Sequence, residues 1–259
     1  MATSSAGQVE RPEGAPHKER CWALSRSNAT ELLDETGHDR VELASNLSDI
    51  RRVNQLAGGT RATLRALPAL LAKVPAERPA VILDLATGSG DIPRAILGWA
   101  AKRDRQVQII ASDLSLDILD EARRHLTDDD HVSFATYDAR AVPLPDQSVD
   151  VALCALALHH FTREDAVTVL REIARVSRVG FILNDITRSR QGLVSAWVAS
   201  RLATGNRLTR HDMPLSVRRA FTPGELRQML AEAGLEGAVV RQHWLFRMTA
   251  VWQAPETAS

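Results

Sequence analysis

The chain has 259 residues, 44% of them apolar, enough to bury a sizeable core in one domain with decorations. Lys and Arg total 32 and so do Asp and Glu, so no global field favours nucleic acid or an acidic partner. Met1 to Arg20 lacks the apolar core of a signal peptide, and no later run approaches the roughly 18 apolar residues of a membrane span. The expectation is a soluble, cytoplasmic protein with a disordered tail over 1–26 and a buried, structural Cys154; with Cys21 in the tail, a disulfide framework is not expected.

Residues 27–75 read as an N-terminal helical cap. Leu43, Leu47, Ile50 and Ala57 recur at helical spacing until Gly58-Gly59 stops them, and Leu64, Leu67, Leu70 and Leu71 mark a second helix over 60–73. Pro68 must bend that helix or delay its start, and the pair is expected over one end of a sheet. From Pro79 to 254, apolar runs alternate with amphipathic segments, the pattern of stacked βαβ units. Strands are predicted at 80–85, 107–112, 131–136, 149–155 and 179–184. Helices lie between them, opened by Asp91 with Pro93, by Ser115 and by Thr162. A last helix has Thr222 as cap, Pro223 at its first position, Glu225 completing a capping box and Gly234 as stop. Runs at 238–242 and 246–252 suit an antiparallel pair.

An insertion over 185–221 precedes that last helix and is locally basic, with seven arginines against Asp185 and Asp212. Its centre, 193–202, is amphipathic. Two readings stay open: a solvated helix face on the sheet edge, or a substrate lid whose apolar inner face touches a lipid-like substrate or a membrane surface.

The chemistry is carried by Val81 to Asp91. A short apolar run ending on Asp84 reads as a buried parallel strand, and Gly88 and Gly90 turn the backbone into a helix N-terminus, a cradle for a ligand that approaches the backbone closely. A nicotinamide fingerprint does not fit, because Asp91 stands at its last glycine position, and Tyr137 has Ala141 rather than Lys four residues on. No Lys follows the glycines as in a phosphate-binding loop. Acids end the successive strands: Asp84, then Asp113, then Asp138. With the glycine turn they suit a nucleoside, Asp113 accepting from ribose hydroxyls, Asp138 from a base amino group, and Leu114 covering the flat base.

At this point the chain resembles the class I S-adenosylmethionine-dependent methyltransferases. Asp84-Leu85-Ala86-Thr87-Gly88-Ser89-Gly90 looks like their acidic, glycine-rich first motif, with Ala86 where the first Gly usually stands. The resemblance implies a Rossmann-like, doubly wound α/β fold, its seven-stranded sheet mostly parallel with a reversed last strand. It also implies S-adenosylmethionine as cofactor, contacted by Asp84, Ala86, Thr87, Gly88, Ser89, Gly90, Asp113, Leu114, Asp138, Ala139 and Ala155. Leu158-His159-His160-Phe161 looks like small-molecule enzymes of the ubiquinone and menaquinone type. Glu31-Leu32-Leu33-Asp34 and Leu208-Thr209-Arg210-His211-Asp212 look like a bacterial group suspected of methylating phenolic or polyketide-derived compounds.

The implied activity is methyl transfer to a small aromatic or lipophilic acceptor at oxygen or carbon, with no nucleic acid as partner. The rival readings are an RNA or protein methyltransferase, which the even charge and sparse aromatics weaken, and a non-catalytic cofactor-binding protein. Histidine suits the base that a hydroxyl acceptor needs. His160 is favoured over His159, whose side chain is expected to diverge from it, and His211, its ring held by Asp212, is the rival. With no clear carboxylate cluster beyond the cofactor acids, no metal is expected.

Overall fold

The computed structural model describes residues 24–126 and 130–255. Most of the predicted tail, with Cys21, lies outside them. Residues 24–26 belong to the fold, in contrast to the predicted tail boundary. Arg26 donates to the carbonyls of His159, Phe161 and Arg219 and lies over the Phe221 ring, while Arg188 Nε donates to Leu24 O.

Seven strands form one sheet: β1 (Ala80–Leu85), β2 (Val107–Asp113), β3 (Val132–Thr136), β4 (Val149–Ala155), β5 (Ser177–Ile186), β6 (Val239–His243) and β7 (Arg247–Gln253). Their order is β3-β2-β1-β4-β5-β7-β6, parallel throughout except that β7 runs antiparallel to both neighbours. The predicted fold class is therefore observed, reversed last strand included. The order reverses between β1 and β4, where ligands of open α/β sheets bind beyond the strands' carboxyl ends.

The helices are α1 (Arg40–Leu56), α2 (Gly59–Leu71), α3 (Asp91–Ala101), α4 (Leu116–His125), α5 (Arg163–Val176), α6 (Arg190–Leu202), α7 (Arg207–Arg219) and α8 (Pro223–Glu232). The central strands bury both faces, so their apolar runs are nearly continuous. One side, with Ile82, Val151 and Leu153, packs on Leu67 and Leu70 of α2 and Ile92 and Ile96 of α3. The other, with Leu85, Ala152, Cys154 and Phe181, packs on Leu170 and Ile173 of α5 and Leu226 and Met229 of α8. Cys154 is fully buried and its thiol pushed up by burial, a structural residue as expected.

Two expectations about the N-terminal helices change. Pro68 lies inside a continuous α2, and α2 rests on the sheet face rather than over its end. Asn184 explains the seat: its Nδ2 donates to Gly59 O (2.7 Å) and Thr63 Oγ1 (3.0 Å), locking the start of α2 to β5. The helix caps follow the sequence closely. Ser115 and Thr162 accept from Ile118 N and Asp165 N, and Thr222 with Glu225 forms a complete capping box.

At the opposite edge of the sheet, Asp150 is fully buried and accepts from Arg78 Nη1 (2.6 Å) and Nη2 (2.7 Å), Arg178 Nη1 (2.5 Å) and Val81 N (2.9 Å). Burial alone would raise its pKa, but these donors outweigh it and hold it below the ordinary carboxylate value. A lowered pKa contributes stability above the unfolded value that is lost as pH falls through the folded one. Asp150→Asn is therefore expected to cost roughly 2 kcal/mol at pH 7, moderated because both arginines are part-exposed. Urea unfolding should also show a shallower loss below pH 4 than in the parent.

Candidate active site

The turn after β1 alternates hand. Ala86 (φ 55°), Gly88 (φ 55°) and Gly90 (φ 74°) are left-handed, which delivers the chain to Asp91 at the start of α3. A Cβ at 90 would lie 2.5 Å from Leu126 Cδ1, so that side chain would have to shift; at Gly88 an added Cβ meets nothing within 4 Å, so the space beyond the turn is open. Ala86 thus takes the backbone conformation of the glycine it stands for. Leu156, one residue past β4, is also left-handed (φ 56°), so the two central strands both end in strained non-glycine residues at the same edge.

Asp84 is 1% exposed. Thr87 Oγ1 donates to its Oδ2 at 2.6 Å, while its Oδ1 has no hydrogen-bond partner among the described residues. Burial, with the charges of Asp91 and Asp113 adding to it, pushes this carboxyl up to about 7. One strand over, Asp113 accepts from Gly88 N (3.2 Å) and Ser115 N (3.1 Å), so it braces the turn; burial raises its pKa despite these bonds. Leu114 follows it, 64% exposed. Asp138 lies two residues beyond β3 and is gripped by Arg140, through Nε (3.0 Å), Nη2 (2.7 Å) and the backbone N (2.9 Å). Nε also reaches Oδ2 (3.2 Å), so each oxygen of Asp138 already takes two contacts from Arg140. Thr87 and Ser89 are buried within the turn, Ala139 is packed into the core, and Ala155 ends β4 half-buried. The structure thus brings the three acids and the turn to one edge.

The two histidines do not diverge. They occupy a 3-10 turn, Leu158–His160, and their ring centroids are 4.4 Å apart. Each Nδ1 is held by a carboxylate: His159 by Asp185 (2.7 Å) and His160 by Asp34 (2.9 Å). Their Nε2 atoms converge on Glu31, which is 3% exposed, at 3.7 and 3.8 Å. For His160, burial would lower the pKa, but the hydrogen bond to Asp34 and the charges of Glu31 and Asp34 prevail and raise it to about 8. For Asp185, burial is outweighed by His159 and the Ile186 N–H, which keep it low. His160 also acts electrostatically on Asp113, so this cluster and the strand-end acids are neighbours. The His211 ring is about half exposed and bonded to Asp212 Oδ1 (2.7 Å), whose carboxylate also takes Leu32 N and Leu33 N.

Sequence reasoning missed Glu31 and Asp34 as site residues and placed Asp185 at the head of an insertion, whereas β5 runs on to Ile186. It also missed Arg219, whose donors take Ala29 O, His159 O and His160 O, and Arg247. Arg247, at the start of β7, is 2% exposed, and its Nε and Nη1 make no hydrogen bond among the described residues. Burial lowers its pKa to about 10 against the pull of Asp185 and Asp91. Asn54 of α1 reaches the same corner, donating to Asp91 Oδ2 at 2.8 Å. Strand-end acids and an acidic-glycine motif announce themselves locally, but these partners are paired only by the fold.

A family model described as a methyltransferase domain matches residues 82–180. The chain is similar to the ubiquinone/menaquinone biosynthesis C-methyltransferase UbiE of Xanthomonas oryzae pv. oryzae, 36% identical over 102 residues, which span 38% of each chain. It is likewise similar to a malonyl-acyl-carrier-protein O-methyltransferase of Enterobacter lignolyticus, 36% identical over 120 residues, or 46% of this chain and 43% of that one. The chain therefore spans less than half the length of these relatives. A SAM-dependent methyltransferase from Aquifex aeolicus is 14% identical with a TM-score of 0.55, over 84% of this chain and 99% of its own, a likeness of fold alone. Residues 82–180 thus match a methyltransferase domain, and the strand order around them is the fold that such S-adenosylmethionine-dependent enzymes share.

The left-handed Ala86 makes a direct prediction. Because a Cβ costs about 1 kcal/mol or more in this conformation and glycine loses part of that advantage to unfolded-state entropy, Ala86→Gly should stabilise the fold by up to about 1 kcal/mol. Thermal or urea unfolding checks it; a destabilised variant would mean that the turn relaxes to another geometry.

Proposed function

We propose that this chain binds S-adenosylmethionine at the β1 turn and transfers its methyl group to a small aromatic or lipophilic acceptor. The observation that carries the reading is the buried, half-satisfied carboxylate of Asp84 beside the open space at Gly88, with Asp113 at the next strand end. A buried acceptor without a partner is costly unless a ligand supplies the donor, and an amino-acid ammonium is such a donor. Arg247 supplies the complement, a buried guanidinium with unfilled donors suited to the carboxylate of the same amino-acid moiety. Asp91 lies within electrostatic reach of both groups. The residues present thus fit the methionine end of the cofactor, and Asp113, Leu114 and Asp138 its nucleoside end.

The cofactor supplies a methyl group on a sulfonium whose departure needs no acid. What the protein contributes is orientation: Ala86 to Gly90 hold the methionine end, and Asp113 fixes the ribose. On the acceptor side, His159 and His160 above Glu31 meet the acceptor's hydroxyl or acidic carbon, with His160 nearer the surface; His211 in the insertion is the rival group. Asp185 and Asp34 keep both rings in register. One relative's name specifies carbon and the other's oxygen, so both acceptor atoms stay within the proposal. An exposed apolar stripe on α6, formed by Val194, Trp197, Val198 and Leu202, supports a lipophilic acceptor and a lid role for 185–221.

Calorimetry with S-adenosylhomocysteine tests the cofactor half. Asp113→Ala should weaken binding about 10- to 100-fold, as expected for charged acceptors lost from two hydroxyls, and Arg247→Met should weaken it comparably. Affinities equal to the parent's in both variants would contradict the assignment. For the acceptor half, with a test phenol at saturating cofactor, His160→Ala should lower kcat about 100-fold and His211→Ala less than tenfold. The reverse order would move the acceptor to the insertion.

A further inference from the structure

We infer that Glu31, His159 and His160 form a binding site for a divalent transition-metal ion, at the place where the acceptor's oxygen is handled. One ring nitrogen of each histidine and one carboxylate oxygen of Glu31 lie within 4.8 Å of one another. His159 Nε2 lies 3.7 Å from Glu31 Oε1 and His160 Nε2 lies 3.8 Å from Glu31 Oε2, both separations longer than the roughly 2.7–3.2 Å of a hydrogen bond. They are near the edge length that three ligands take around an ion at about 2.0–2.2 Å from each, so a small contraction closes the shell.

Three further observations point to an ion rather than to a packed salt bridge. Glu31 is 3% exposed and its Oε1 has no hydrogen-bond partner among the described residues, so a buried anionic oxygen faces the cluster unfilled. Both Nδ1 atoms are already bonded to carboxylates, Asp185 and Asp34, an arrangement that fixes the tautomer and presents Nε2 lone pairs to a metal. Among the described residues Arg219 is the one arginine or lysine paired with Glu31 Oε1, at 3.8 Å, and its Nε and Nη2 donate to the carbonyls of the histidine turn, pinning the backbone that carries both rings.

Two imidazoles and one carboxylate suit zinc and other first-row divalent ions better than magnesium, and three protein ligands leave a position open. The inference rests on the reading that the acceptor meets this cluster. The open position then takes an acceptor with an ionisable oxygen, a phenol or enol. Its O–H proton goes to solvent, the oxygen pair forms the bond to the methyl carbon, and the carbon–sulfur pair returns to sulfur.

Zinc titrated into chelator-treated, tag-free full-length chain, with excess Mg2+ present, tests the site directly. The expected result is one Zn2+ per chain, bound at least 100-fold more weakly in Glu31→Gln and unchanged in His243→Gln. S-adenosylhomocysteine affinity should be unchanged in Glu31→Gln, so a failure of the metal site is separable from a failure of the cofactor assignment. If Glu31→Gln does not fold, His160→Asn, whose ring reaches the surface, decides with the same expected loss. No stoichiometric zinc binding, or equal binding in the folded variants, overturns the inference.

Discussion

The site is organised by a carboxylate that the fold buries without satisfying. Asp84, the last residue but one of β1, is flanked by β2 and β4, and its burial follows from being where two halves of a doubly wound sheet meet. Thr87 fills one oxygen, and the turn that carries Thr87 exists only because Ala86, Gly88 and Gly90 all accept left-handed backbone. The same turn presents Gly88 N to Asp113, tying the second strand end to the first. Removing any of these would relax the others, so strain at Ala86 and the unfilled Asp84 oxygen are linked features of one ligand-ready edge.

Around that edge the N-terminal segment and α7 pack against the histidine turn. Arg26 and Arg219 grip the carbonyls of the histidine turn, and Asp212 takes the backbone of Leu32 and Leu33. The consequence is that Glu31 and Asp34, more than a hundred residues upstream, reach the two rings. Neither the 3-10 turn nor the insertion alone would hold this geometry; the ion pairs and backbone contacts between them do. Among the described residues no helix is long and apolar enough to cross a membrane. The apolar stripe on α6 is exposed.

Much of the architecture was legible in the sequence because its signals are local. Apolar runs marked the central strands, Ser115, Thr162 and Thr222 marked helix starts, and Asp84, Asp113 and Asp138 marked the ligand edge. What stayed hidden depends on tertiary pairing. Asp185 reads as a loop acid but ends a strand because His159 satisfies it. Arg247 carries no local signal of its own, and its burial follows only from β7 lying beside β5. Glu31 lies in a segment whose helical pattern was overextended: regular helix begins at Arg40, and the stretch before it serves the site. The histidine side chains were expected to diverge, as in an extended loop; a 3-10 turn places consecutive rings side by side instead.

The central claim, that Asp84 waits for the cofactor's ammonium, has a proton-linked signature. In the unliganded fold this carboxyl titrates near 7, so below neutrality it holds a proton that a cationic ligand group must displace. Calorimetric titration with S-adenosylhomocysteine in buffers of different ionisation enthalpy, from pH 6 to 8, measures that proton. The account predicts release of close to one proton at pH 6, fading by pH 8, with affinity rising toward neutrality and the linkage lost in Asp84→Asn. Binding without proton release at pH 6, or the same release in Asp84→Asn, would contradict it.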